Sequence, residues 1–359
     1  MQGLNNPIGI KSSEPNQSPF ITNPYRFAAG DVGGWTELGR MSGSRASGAT
    51  LDVSSLPDKR YYMVLYETQG SSTYTSDYRL NADSGSNYAY RANQNGTSET
   101  TNTSTNFMFG DYGGIALDKF AVAYFANLNT KEKLGISHEV QQVATGATTA
   151  PTRGEYVHKH AQISNPISTI SLLNRGPNTS ASGEIVVLGW DPADTHTTNF
   201  WEELASVELS SGDVRLSSGT FTAKKYLWFQ YYIKGASSSR QKIQFNGSSA
   251  SDYAFRYSGN GGADSATSGT AYPDINASYA YANTNKYGNM FVINNATKEK
   301  LLTGHSMETT AGSPTAPNRI ELAGKWANTS AQITQIDIWA DGGSTAYGAG
   351  SIIKVWGSN

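Results

Sequence analysis

An internal repeat constrains this chain more than any other sequence feature. The segment "TKEKLGISH" (residues 130–138) returns 167 positions later as "TKEKLLTGH" (297–305). "WTEL" at Trp35 matches "WEEL" at Trp201, and "APTRGEYVHK" (150–159) matches "APNRIELAGK" (316–325). The offset stays between 165 and 167 along the whole unit. The sequence therefore predicts a tandem duplication of one domain, and a period this long must be recognised before any fold is assigned.

The repeat divides the 359 residues into four parts. We predict an extended N-terminal arm (1–30), a first domain (31–190), a short linker (191–200) and a second domain (201–359). The arm has four prolines and no counterpart in the second half, so it cannot form a core of its own. We expect it to lie along another surface through its apolar residues, and the candidate interface residues are Ile8, Ile10, Phe20, Ile21, Tyr25 and Phe27.

Composition and periodicity predict an all-β fold. Charged residues make up 16% of the chain, whereas Gly occurs 37 times and Tyr 21 times, a balance that favours strands and turns. Aromatic and β-branched runs such as "YYMVLYE" (61–67) and "IVVL" (185–188) are separated by Gly- and Asn-rich turns. No long window keeps a helical rhythm. We therefore predict two tandem jelly-roll-like β-sandwich domains.

Charge and cysteine content exclude several classes of protein. Twenty-seven basic and 29 acidic residues give a net charge of −2, which argues against a nucleic-acid surface. The absence of cysteine removes disulfides, zinc–thiolate sites and thiol catalysis. No stretch is apolar enough for a membrane helix, and the first 30 residues lack the layout of a signal peptide. We predict no membrane partner and no export signal.

The repeated motif contains groups that are able to do chemistry. A lysine, a glutamate and a histidine within nine residues can form an acid–base group. No nucleophile or second carboxylate repeats nearby, however, so we favour a polar turn that enters a strand. In that interpretation Lys131 and Lys133 are solvated, Leu134 points to the core, and His138 and His305 are held by hydrogen bonds. We predict no catalytic residue, no cofactor and no metal.

A second histidine motif, "HKH" (158–160), places two imidazoles on one face of a strand. Such a pair is half of a metal site. The second copy has Gly324, Lys325 and Trp326 at the matching positions, and a third ligand is not visible. We therefore predict that His158 and His160 are solvated or stacked rather than metal-bound.

Other repeated polar and aromatic residues suggest architecture rather than chemistry. They occur as matched pairs that hold turns, strand ends and stacked rings: Asn81 with Asn246, Tyr88 with Tyr253, Arg91 with Arg256, and Arg153 with Arg319. A separate group of aromatics can form stacking platforms for sugars if exposed, and the candidates are Trp228, Tyr287 and Trp339.

Several of these motifs together resemble a known family. "LPDKRYYMVL", "NYAYRANQNG", "TKEKL" with its following histidine and "GEIVVLGWD" are similar to a repeated β-domain of tailed-bacteriophage structural proteins. The resemblance covers most of residues 35–357 and leaves the arm unmatched. It implies a virion component, assembled in the host cytoplasm, that contacts the major capsid protein or other virion subunits and forms a homo-oligomer.

On that resemblance we expect a capsid-surface decoration or cement protein, which grips the shell through the arm and the first domain. Two alternatives stay open: a tail, collar or fibre subunit, and an adhesin that binds host glycans through exposed aromatics. An enzyme such as a polysaccharide depolymerase needs paired carboxylates in a groove, and the sequence reveals no such pair.

Overall fold

The computed structural model describes residues 34–70, 74–111, 117–176, 180–195, 198–235, 240–276, 284–309, 316–341 and 347–359. The N-terminal arm and its six candidate interface residues lie outside these ranges. The described residues form strands, turns and loops, and among them no helix is long and apolar enough to cross a bilayer. The prediction of an all-β fold is confirmed.

The described residues of the first half of the chain form eleven strands. They are β1 (Thr36–Arg45), β2 (Thr50–Ser54), β3 (Tyr61–Gly70), β4 (Asp77–Leu80), β5 (Tyr88–Gln94), β6 (Thr100–Thr105), β7 (Lys119–Ala126), β8 (Lys133–Gln141), β9 (Thr152–His160), β10 (Thr169–Leu173) and β11 (Ala181–Trp190).

Eleven equivalent strands follow in the part of the second half that the structure describes. They are β12 (Glu202–Glu208), β13 (Arg215–Ser217), β14 (Tyr226–Lys234), β15 (Arg240–Phe245), β16 (Tyr253–Gly259), β17 (Ser265–Thr270), β18 (Asn285–Ile293), β19 (Lys300–Glu308), β20 (Asn318–Trp326), β21 (Ile336–Asp341) and β22 (Ile352–Ser358).

Both halves have the same sheet topology. In the first, an eight-stranded antiparallel sheet runs β1-β11-β3-β7-β8-β9-β5-β6, and a three-stranded sheet runs β2-β10-β4. The second repeats both orders strand for strand, as β12-β22-β14-β18-β19-β20-β16-β17 and β13-β21-β15. Identical order in two halves of one chain is the structural form of the repeat, and the predicted tandem β-sandwich architecture is confirmed.

Each domain has a core between its large and its small sheet. In the first domain the inward side chains of β3 (Tyr62, Val64, Tyr66) pack against those of β10 (Ile170, Leu172). In the second domain Ile336 and Ile338 of β21 share one face, as their alternation predicts, and are fully buried. Alternate side chains of each strand supply these cores because successive residues point to opposite faces.

A third core joins the two domains. Met63 and Leu65 on the outer face of β3 pack in one cluster with Trp201, Trp228 and other apolar residues of the second domain. The central strands are therefore buried on both faces, which explains why β3 reads as a continuous apolar run. The two large sheets face each other, and the molecule is a stack of small, large, large and small sheets.

Each large sheet covers only one end of the strands of the other large sheet. In the first domain the uncovered end carries three exposed apolar side chains, Leu134, Ile136 and Val157, which are 46–55% exposed. Their counterparts in the second domain, Leu301, Thr303 and Ala323, are buried under the first domain. We call the uncovered surface around Leu134, Ile136 and Val157 the free half of the first domain.

The second domain has an uncovered end of its own, at the opposite end of its strands. Tyr232, Tyr287 and Met307 are 36–40% exposed there. Their counterparts in the first domain are Glu67, Phe120 and Val140, of which Phe120 and Val140 are buried in the interdomain core. We call the surface of these three residues the free half of the second domain.

Candidate interdomain site

Both copies of the repeated histidine lie at the junction of the domains. Strand pairing places His138 on β8 opposite Glu155 on β9, and it places His305 on β19 opposite Glu321 on β20. The two imidazole rings meet edge to face across the interface, with ring centroids 4.3 Å apart. Equivalent positions of the two copies thus meet at one point, which the sequence did not predict.

Glu155 is the centre of this junction. Its Oε2 accepts a short hydrogen bond from His138 and lies 3.6 Å from Nε2 of His305. The ligand-capable atoms of these three residues all lie within 4.8 Å of one another. Two imidazoles and one carboxylate form a donor set that can hold a transition-metal ion.

Arg153 lies directly beside the three residues and is almost completely buried. Its guanidinium contacts Oε1 of Glu155 at 3.3 Å, Glu321 at 2.9 Å and Asp264 at 2.8 Å. Asp264 and Glu321 belong to the second domain, so this arginine links the domains through three charge-assisted hydrogen bonds, two to Asp264 and one to Glu321. The side chain of its counterpart Arg319 is 61% exposed and forms an ion pair with Glu321 at 3.3 Å.

The charges determine the protonation of the central carboxylate. Burial alone would raise the pKa of Glu155, but attraction and hydrogen bonding to His138 and His305 outweigh it and hold that pKa well below its usual range. Burial lowers the pKa of His305, whereas hydrogen bonding and attraction to Glu155 raise it, and the net pKa is raised. Glu155 is therefore an ionised carboxylate at neutral pH.

The junction opens into a cleft of about 640 Å³ between the domains. Its walls include Arg91, Glu99, Tyr156 and Ser258 in addition to the residues above. Glu155 and Glu321 place two carboxylates in one cleft, and this corrects the expectation that no such pair exists. A glycosidase of the common type needs one protonated carboxylic acid, and Glu155, ionised between two histidines, does not fill that role.

Trp228 does not belong to an exposed platform. It is 8% exposed, stacks on Phe291 at 5.2 Å in the interdomain core and donates its indole N–H to Asn289. Trp339 is half-buried, donates to Gln244 and lies under the guanidinium of Arg215 at 4.9 Å. Tyr287 is exposed and pairs in register with the equally exposed Tyr232.

The motif "HKH" points into the first domain rather than to solvent. His160 is buried, stacks on Tyr88 at 4.4 Å and bonds Asp83 at 2.8 Å. In the second domain Trp326 stacks on Tyr253 and donates to Asp252 in the same way. Of the two predicted alternatives, solvated or stacked, the structure shows the stacked one: His160 stacks on Tyr88, His158 lies nearly parallel to Tyr156, and both rings are buried.

The turn before β8 also differs from the expectation. Lys133 is buried rather than solvated, and its ammonium donates to the carbonyls of Leu128 and Lys131. Lys300 in the second copy is likewise buried and donates to the carbonyls of Lys298 and Asn328. Leu134 is exposed and not in the core. Both lysines satisfy loop carbonyls, and this assigns the repeated "TKEKL" an architectural role.

The repeated asparagines and tyrosines occupy equivalent places. Asn81 and Asn246 both have positive φ and accept hydrogen bonds from backbone amides of the loop before β10 or β21. The hydroxyls of Tyr88 and Tyr253 each bond the backbone of the residue that ends β4 or β15. These contacts close the small sheet over the large one in both domains.

The repeated arginines are used differently in the two copies. Arg91 forms an exposed ion pair with Glu99. Arg256 instead donates across the interface to the carbonyl of Pro151 at 2.8 Å. The two arginines therefore occupy equivalent positions on their strands, but the packing of the domains gives them different hydrogen-bond partners.

Sequence reasoning missed Glu155, Glu321 and Asp264. A signal for the first two was present, because Arg-x-Glu follows Ala-Pro in both copies at residues 153–155 and 319–321. Asp264 has no such signal. It lies just after the Asn260–Gly261 turn, where both residues have positive φ, and packs against Gly96 of the equivalent turn.

Comparison with known proteins gives no family for this chain. No family model matches it, and no curated protein matches it either. Among solved structures, domains LG4-5 of the mouse laminin alpha1 chain show 8% identity and a TM-score of 0.17, covering 92% of this chain and 91% of that one. The binding domain of botulinum neurotoxin DC shows 8% identity and a TM-score of 0.18, covering 82% and 93%. Similarity at this level carries no argument about function.

Proposed function

We propose that this chain is a structural protein of a bacteriophage virion, without enzymatic activity, and that it decorates or cements the capsid surface. The arm and the first domain bind the shell, and the partners are the major capsid protein or other virion subunits. The observation that carries the proposal is that each domain leaves an apolar half of its large sheet uncovered, as expected of a subunit that neighbours cover in an assembly. A contiguous apolar surface on the flat face of a sheet is typical of a site that another protein covers.

The rigidity of the body supports the same role. The large sheets share a core that contains Trp201, Trp228 and Trp356. Ion pairs join the domains around it, among them Arg153 with Asp264, Lys225 with Glu67, and Lys298 with Asp118. Interfaces this apolar hold two domains in one orientation. A body of fixed shape transmits force between the subunits that it contacts, as a cement protein must.

Electron microscopy of labelled virions tests this proposal. We expect the label on the capsid surface, and we expect deletion of residues 1–30 to abolish incorporation of the protein into particles. Full occupancy by the truncated protein would contradict the role of the arm. A label on the tail, collar or fibres would replace the decoration role with the alternative structural role.

One observation favours a second candidate, a glycan-binding adhesin. Tyr232 and Tyr287 are exposed side by side on the free half of the second domain, where flat rings can stack on sugars. A glycan array with saturable binding that is lost in Tyr287→Ala would establish it. Trp339→Ala is the comparison variant, because that ring is half-buried in a different part of the domain.

A further inference from the structure

We propose that His138, Glu155 and His305 bind one divalent transition-metal ion, with Zn²⁺ as the representative probe. The three side chains converge from two domains on a single point. Nδ1 of His138 hydrogen-bonds Oε2 of Glu155, and Nε2 of His305 lies 3.6 Å from the same oxygen. One ligand-capable atom from each residue lies within 4.8 Å of the other two. Ligand atoms around a tetrahedral zinc ion are separated by about 3.3 Å, since each bond is about 2.0–2.1 Å long.

The remaining atoms of Glu155 fit such a site. Arg153 contacts Oε1 at 3.3 Å, which orients the carboxylate and leaves Oε2 toward the two imidazoles. Outer partners of this kind fix the ligand orientation in metal sites. The equivalent carboxylate, Glu321, is engaged by both Arg153 and Arg319 and is not part of the triad.

The donor set selects the class of ion. Two imidazole nitrogens suit zinc, copper or nickel, whereas calcium and magnesium prefer oxygen ligands. The three side chains are 16–31% exposed and border the interdomain cleft, so a water molecule can reach the fourth position. Since the ligands come from both domains, the ion would bind only when the domains are docked.

The test uses the full chain, treated with a chelator, desalted and titrated with Zn²⁺ by calorimetry. We expect one ion per chain and a higher melting temperature with zinc, because an ion that binds only the folded state stabilises it. Co²⁺ should give the visible absorption bands of a tetrahedral site. Glu155→Gln and His305→Gln should each weaken zinc binding by at least roughly 100-fold, because loss of an outer partner of a ligand alone costs about 10–100-fold and these substitutions remove a ligand itself.

Glu99→Gln is the matched control, because Glu99 lines the same cleft and pairs with Arg91. It should bind zinc as the unchanged chain does. Circular dichroism of each variant separates loss of the ligand from loss of the fold. Absence of stoichiometric binding in the unchanged chain, or binding that survives in a folded His138→Gln/His305→Gln variant, would overturn the proposal.

A different observation, the offset between the large sheets, carries a second inference that rests on the proposed function. We infer that the free half of the first domain binds the free half of the second domain of another copy. The free half of the first domain is equivalent to the surface that the second domain buries in the interdomain core. The free half of the second domain is equivalent to the surface that the first domain buries there. The contact between copies would therefore repeat the contact within one chain.

A contact of this type joins two different surfaces and is heterologous. Such contacts leave an unused surface at each end and extend into rings or open arrays. An array over the capsid is what a cement protein forms.

Sedimentation velocity of the full chain tests the contact. We expect concentration-dependent assembly that is lost in Leu134→Glu and also in Tyr287→Glu, with exposed Thr101→Glu on edge strand β6 as the control. A mixture of the first two variants should form dimers and nothing larger, because each variant keeps one competent surface. A monomeric unchanged chain, or no dimer in the mixture, would overturn this contact. Particle binding by such a monomer would leave the proposed function standing.

Discussion

Strands β9 and β20 occupy the same place in their sheets, yet their surroundings differ. Arg153 on β9 is buried between two carboxylates of the other domain, whereas Arg319 on β20 is exposed. Val157 is exposed, whereas its counterpart Ala323 is buried. The two copies have the same backbone fold, but the domains pack with an offset. As a result, opposite ends of β9 and β20 lie in the interface.

Arginine at the two equivalent positions gives the largest expected contrast. Arg153→Ala should lower the free energy of unfolding by about 3–5 kcal/mol, because it leaves Asp264 buried without its partner. Arg319→Ala should change it by less than about 0.5 kcal/mol, as exposed substitutions usually do. Urea denaturation of both variants measures the difference. Equal effects would contradict the offset packing.

Leucine at the start of β8 and β19 provides an apolar version of the comparison. Leu301→Ala should destabilise the chain by about 3 kcal/mol, because it opens a cavity in the interdomain core. Leu134→Ala should cost less than about 0.5 kcal/mol, since that side chain is already exposed. Thermal denaturation of the two variants checks this order. A larger loss of stability in Leu134→Ala would contradict the conclusion that Leu301 is covered by the other domain and Leu134 is not.

His158, on the inner face of β9, is a titratable residue in the core of the first domain. Burial, and then the nearby charge of His138, lowers the pKa of His158 from 6.5 to about 3. The unfolded chain therefore binds this proton first as the pH falls, so the stability present above pH 6.5 is lost progressively toward pH 3. The contribution is about 1.4 kcal/mol per pH unit. His158→Gln should remove that part of the slope in urea titrations from pH 7 to 4.

The same position in the second domain is Gly324, which cannot titrate. An unchanged slope in His158→Gln would show that His158 is not buried as a neutral ring.

Gly324 leaves room for the ring of Phe255, whose atoms lie 2.5 Å from where a Cβ would stand. In the first domain the counterpart Tyr90 stacks on Phe109 instead. Each domain thus fills its core with a ring from a different strand.

Substitution of the asparagines at the two equivalent turns should show the smallest difference in stability loss between the domains. Asn81→Ala and Asn246→Ala each remove the acceptor for two backbone amides, and each should cost about 1–2 kcal/mol. The two losses should agree within about 0.5 kcal/mol, since among the described residues the hydrogen-bond partners of Asn81 and of Asn246 belong to the same domain as each asparagine. Urea midpoints measure both. A clear inequality would mean that the copies have diverged here as well.

The repeat predicted much of this fold because it is a local signal. Strand runs, the Asn–Gly turns and the paired asparagines depend on neighbouring residues, and these are visible in each copy. The packing of one domain on the other is not local. Leu134 and Leu301 follow the same "TKEK" motif, so the sequence cannot show that one is exposed and the other buried.

The site was missed for a related reason. His138, Glu155 and His305 lie on three strands, and only tertiary packing brings the third residue to the other two. Trp228 was misassigned because a strand buried on both faces has no polar side to reveal which rings are exposed. The repeated Arg-x-Glu was the available clue, and its meaning depended on the interface.

The central claim is that two copies of one sandwich share a core and behave as one body. Scanning calorimetry of the full chain tests it most directly. If the domains unfold as one body, we expect a single transition whose van't Hoff and calorimetric enthalpies agree, and a lower midpoint of that transition in Leu301→Ala. Two separate transitions, with only one of them shifted by Leu301→Ala, would contradict it.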